Sequence, residues 1–152
     1  MIINIFCIGK LDQKSSESEI ISRYLKRITA KVNIAELEVK NKNLDINAKK
    51  DAESDLLLSQ YKKGKKIVLD EKGKNLSSNQ LANQIANWNL QGISDLNFFI
   101  GGADGHNKKI IENADLILSL SPLTFPHMLA RTILIEQIYR IQTIASGHPY
   151  HK

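Results

Sequence analysis

Five short apolar runs, each bounded by turn-forming or charged residues, recur along the chain: Ile2 to Ile8, Val32 to Val39, Lys66 to Asp70, Leu96 to Ile100 and Leu116 to Leu120. Runs this short suit strands. Between them apolar residues return at helical spacing, as at Ile20, Ile21, Tyr24, Leu25 and Ile28, or at Leu81, Ile85 and Trp88. Such alternation predicts an α/β fold, a mostly parallel sheet flanked by helices. The fourth and fifth runs are apolar at nearly every position rather than at every second one. They are therefore expected to be covered on both faces and to lie centrally.

Helix boundaries are marked too. Ser77 and Gln80 have the spacing of a capping box, and Thr124 with Pro126 suits the start of a long final helix through Ala145. The polar stretch 40–51 is expected to be a mobile connection, and the 152 residues are read as one domain, 1–152.

The chain is 42% hydrophobic and 24% charged, and no apolar run approaches the roughly 20 residues that cross a bilayer. The opening MIINIFCIGK lacks the features of a secretion signal, so a cytoplasmic protein with no membrane partner is expected. The single cysteine, Cys7, lies in an apolar run and reads as a buried thiol. A net charge of +5 favours a polyanionic partner, although a lysine-rich solvated surface has the same composition. Lys62, Lys63, Lys65, Lys66, Lys72 and Lys74 cluster around the third run and are candidates for phosphate contact.

In parallel sheets ligands bind beyond the carboxyl ends of the strands, which directs attention to the loops after Ile100 and Leu120. The first, IGGADGH, has three glycines where a buried strand exits. Lys108 is three residues past Gly105 with no hydroxyl after it, so this is no phosphate loop, and the glycine spacing departs from the dinucleotide fingerprint. The second, LSLSPLTFPHMLART, combines backbone polarity with Leu120, Leu123 and Phe125, a mixture that suits an adenine-bearing ligand of little negative charge such as S-adenosyl-L-methionine (AdoMet). Glu136 and Arg140 have i,i+4 spacing, and the broad apolar stripe around them allows a second buried surface such as a dimer interface. His106, His127, His148 and His151 lack the paired spacing of a zinc site, so no metal is expected.

Together, LDEKGK, IGGADGH, LSLSPLTFPHMLARTILIEQIYR and the terminal HPYHK resemble the RlmH family of SPOUT-superfamily methyltransferases. The resemblance implies a C-terminal trefoil knot, a homodimer, and AdoMet held at Leu69, Gly101, Leu120, Ser121, Pro122, Leu123, Thr124 and Phe125. It implies methylation of N3 of a pseudouridine in 23S rRNA, conventionally numbered 1915, on the assembled ribosome. In the tail it points to His151 as proton acceptor or orienter, to Tyr150 on the target base, and to Arg140 and Lys152 as RNA contacts. Ile141 and Lys152 depart from the family pattern, where alanine and arginine are common. A non-catalytic, basic RNA-binding or ribosome-associated module is the alternative, separated from the enzyme by AdoMet affinity.

Overall fold

A computed structural model describes residues 1–151. Five strands, β1 (Ile2–Ile8), β2 (Lys31–Leu37), β3 (Lys65–Asn75), β4 (Asp95–Ile100) and β5 (Leu116–Ser119), alternate with five helices, α1 (Ser16–Leu25), α2 (Ile46–Ser59), α3 (Ser78–Leu90), α4 (Lys108–Glu112) and α5 (His127–Ala145). The strands form one parallel sheet in the order β2-β1-β4-β3-β5. This is the expected α/β architecture.

Burial on both faces explains the continuous apolar strands. Along β4, Leu96, Phe98 and Ile100 join a core with α1, α3 and α5, while Phe99 points to the opposite core beside Leu57 of α2 and Ile110 of α4. β4 is central as expected, but β5 is an edge strand paired only with β3. The apolar pattern reports face burial and not pairing position, so it could not separate these two cases.

Side-chain caps start four helices: Ser15, Asp45, Ser77 and Asn107 each accept a backbone N–H three residues on. The Ser77–Gln80 capping box forms in both directions. Asp45 starts α2 inside the stretch expected to be a mobile connection, so 46–51 are helical instead. α5 starts after Pro126 with no side-chain cap; Thr124 Oγ1 donates to Glu71 at 2.7 Å.

β3 runs farther than its apolar segment. Leu69 and Lys74 both align with Leu118, so residues 70–73 bulge out of register and the strand then resumes. Gly73 allows this: a Cβ there would lie 2.7 Å from the Ile117 backbone. Near the carboxyl ends of β1 and β2, buried Arg131 of α5 pairs with Glu36 and donates to the Gly9 carbonyl at 3.0 Å. Glu36 also accepts the Leu11 N–H at 2.9 Å. These bonds fix the start of α5 over the sheet edge where the strands end. Cys7 is buried as expected, and loss of solvent pushes its thiol up to about 11.

Candidate active site

Because the strands are parallel, Leu69, Ile100 and Leu118 bring their following loops to one edge of the sheet. A cavity of about 760 Å³ opens there, between the β3 bulge, the glycine loop and the segment leading into α5. Leu69, Gly101, Leu120, Ser121, Leu123, Thr124 and Phe125 all line it. Pro122 does not; it turns the chain between two lining residues. Ile100, Leu118 and Ala130 add apolar wall, and Asp70, Glu71 and Lys72 add charge at one side.

The glycine loop is gripped from behind by α2. The Asn107 N–H donates to Ser54 Oγ at 3.0 Å, Asn107 Nδ2 to Asp51 at 2.9 Å, and Lys109 Nζ to Asp55 at 2.7 Å. Lys49 pairs with Asp104 at 3.6 Å and reaches Glu53 at 4.0 Å. Glu53 is buried against Gly102, where a Cβ would lie 2.7 Å from Oε2, so any larger residue would have to displace the Glu53 carboxylate. Among the described residues its Oε2 has no hydrogen-bond partner, and loss of solvent raises the carboxyl above its ordinary value, the neighbouring Lys49 opposing.

His106 closes this loop against β3. Its Nε2 lies 3.0 Å from the Leu69 carbonyl, which can only accept, so Nε2 carries the hydrogen. Desolvation lowers its affinity for a second proton, with nearby Asp70 opposing. On the third loop, Ser119 Oγ donates to the Ser121 carbonyl at 2.8 Å and Ser121 Oγ accepts the Leu123 N–H at 3.0 Å. That turn leaves Leu123 70% exposed at the rim.

The tail assembles elsewhere. Tyr150 donates to Glu136 Oε1 at 3.0 Å, its ring meets Tyr139 edge-on at 4.8 Å, and the Arg140 guanidinium lies 4.8 Å over its face. Arg140 also forms the expected pair with Glu136, through Nη2 at 2.6 Å and Nε at 3.0 Å, and its Nη1 approaches His151 Nδ1 at 3.4 Å. Desolvation, then hydrogen bonding to Tyr24 and Glu136, raises the Tyr150 phenol, while the Glu136 bond raises Arg140. Tyr150, His151 and Arg140 thus come together as a unit. They are not among the residues that line the cavity of their own chain: Arg140 lies ten residues beyond the lining residue Ala130, about 15 Å along α5 at 1.5 Å per residue. Lys152 lies outside the described residues.

The lysine cluster divides between the two ends of β3. Lys63 pairs with Asp95 at 3.3 Å, Lys65 with Asp115 at 2.9 Å, and Lys66 lies 4.4 Å over the Tyr61 ring, all at the end away from the cavity. Lys72 lines the cavity. Among the described residues no three His, Cys, Asp or Glu side chains gather as a metal site requires.

The sequence model of a family described as "Predicted SPOUT methyltransferase" matches residues 1–151. Proteins named ribosomal RNA large subunit methyltransferase H match along nearly their whole length. The one from Desulforamulus reducens is 44% identical over 99% of this chain and 98% of its own, and the one from Campylobacter jejuni serotype O:23/36 is 43% identical over 100% of both. The chain belongs to the RlmH family of SPOUT methyltransferases. A further RlmH protein, from Erythrobacter litoralis, is 38% identical over 100% of this chain and 99% of its own. His106 stands in the IGGADGH motif but reads there as a histidine without metal-site spacing, Tyr24 reads as one more apolar-face residue of α1, and Glu53 belongs to no motif; their contacts with Leu69, Tyr150 and Gly102 are long-range.

Proposed function

We propose that this chain uses AdoMet to methylate N3 of pseudouridine 1915 in 23S rRNA of the assembled ribosome, as a cytoplasmic homodimer. The observation that carries this reading is the convergence of seven of the eight anticipated cofactor residues on one cavity. The cavity suits the group: about 760 Å³ falls in the range of small-molecule sites, and Leu69, Leu120 and Phe125 give it apolar wall for an adenine ring beside charged Asp70, Glu71 and Lys72.

When bound, AdoMet would supply the methyl group: N3, its proton given up to solvent water, would form the new N–C bond as the sulfonium C–S bond breaks, the electron pair staying on sulfur as neutral S-adenosylhomocysteine leaves. Leu69, Leu120 and Phe125 exclude water, which favours a reaction that annihilates charge. The glycine loop and the Ser121–Phe125 turn hold the donor in line, and such positioning supplies much of the acceleration. Tyr150 and His151 hold the acceptor base. Arg140 can only donate, so its contact with Nδ1 leaves the neutral His151 ring with its hydrogen on Nε2. That arrangement favours an orienting role for His151, with Nε2–H offered to a base carbonyl, over a role as proton acceptor. Arg140, Lys152 and Lys72 are the proposed RNA contacts.

The homodimer belongs to this reading because Tyr150 and His151 are not among the residues that line their own chain's cavity, and a second copy would bring them to the methyl group of its partner. The proposal includes one domain, 1–152, and a knotted C-terminal segment, in keeping with the family. Calorimetric titration with AdoMet, beside ribosome binding, tests it. AdoMet binding supports the enzyme; ribosome binding without AdoMet binding would make the protein a non-catalytic ribosome-associated module.

A further inference from the structure

We propose that His106 is a cofactor-positioning residue, whose Nε2–H ties the glycine loop to the Leu69 carbonyl so that two walls of the cavity move as one; this rests on the cavity being the AdoMet site. Leu69 is the last β3 residue before the bulge takes the strand out of register. Its carbonyl accepts from His106 Nε2 at 3.0 Å, joining the end of β3 to the glycine loop. The same ring packs on Gly101, where a Cβ would meet His106 Cε1 at 3.0 Å. One imidazole therefore touches both residues that flank the proposed cofactor at this side.

The arrangement carries a cost that folding alone does not explain. With the hydrogen on Nε2, Nδ1 is a bare acceptor, and it is buried with no hydrogen-bond partner among the described residues. A buried unpaired acceptor costs about 1–3 kcal/mol, and an apolar residue of similar size would avoid it. Burial also holds the ring neutral, so the bond to Leu69 is formed without placing a cation beside a cationic cofactor. An imidazole retained under these penalties is explained by what its other nitrogen holds.

The test compares His106→Gln, which keeps an N–H near the Nε2 position, with His106→Asn, which is too short to reach Leu69, and His106→Leu. AdoMet affinity is read by calorimetry and the transfer kinetics in parallel. The Gln variant should bind within about threefold of wild type, while Asn and Leu should lose about tenfold, the equivalent of one buried hydrogen bond. Their KM for AdoMet should rise with kcat and KM for ribosomes little changed. Equal affinities in all four proteins, or equal loss in Gln and Leu, would overturn the proposal. Nitrogen NMR of the wild-type ring gives a reading without substitution: an Nε2–H tautomer is expected, and an Nδ1–H tautomer would overturn it. Absence of AdoMet binding to the wild type would overturn the cofactor site and this role together, whereas tight wild-type binding with indifferent variants refutes the role alone.

Discussion

The hydroxyl of Tyr150, two residues before the C-terminus, lies 3.0 Å from the hydroxyl of Tyr24 on α1. Since Tyr150 donates to Glu136, Tyr24 is the donor in this pair. The tail is thus held by α1 and α5 rather than left to fray. Tyr24→Phe removes one bond and keeps the ring packing on Tyr139. Methyl transfer should fall about fivefold to tenfold, the worth of about 1 kcal/mol in positioning, with AdoMet affinity unchanged by calorimetry.

The proposed sharing of the site between two subunits predicts complementation. Gly101→Val should abolish AdoMet binding, because its Cβ already presses on His106, and deletion of residues 149–152 should abolish transfer while sparing AdoMet binding. Neither is active alone. Refolded together in equal amounts, they should recover about a quarter of wild-type transfer, since half the dimers are mixed and each carries one intact site. No recovery would place tail and cavity in one chain.

Glu36→Ala leaves the Arg131 cation buried without its carboxylate. Losing one member of such a pair costs about 3 kcal/mol, so chemical denaturation should show a fall of that order. Arg131→Met combined with Glu36→Leu should recover much of it, because both charges are then gone.

Glu53→Gln keeps shape and removes a poorly compensated charge. Folding raises the Glu53 carboxyl from its ordinary value near 4.5, so its contribution is most favourable below that pH and is lost as the pH climbs through the raised value. The variant should melt a few degrees above wild type at pH 8, with no advantage at pH 4. Melting curves at the two pH values check this.

How far these features could be read from sequence depends on their range. Strands Ile2–Ile8 and Asp95–Ile100 and the Ser77 cap follow from local pattern, because alternation and capping act between near neighbours. The bulge at 70–73 and the edge position of β5 are set by pairing between distant segments, which no local period encodes. In the site, Gly101 and Leu120–Phe125 were legible because parallel strands deliver their loops to one edge. Glu53 and His106 were not: each acquires its meaning from a contact, with Gly102 forty-nine residues away and with Leu69 thirty-seven residues away. The six lysines around β3 showed the opposite fault, since closeness in sequence concealed that the strand carries them to opposite ends of the sheet.

Purified protein incubated with AdoMet carrying a labelled methyl group and with ribosomes from cells lacking this modification, followed by mass spectrometry to locate the label, decides whether this chain methylates pseudouridine 1915. One methyl group is expected on 23S rRNA, at N3 of that nucleotide, and none when the protein lacks residues 149–152. Absence of label from 23S rRNA, or its arrival at a different nucleotide, would overturn the assignment.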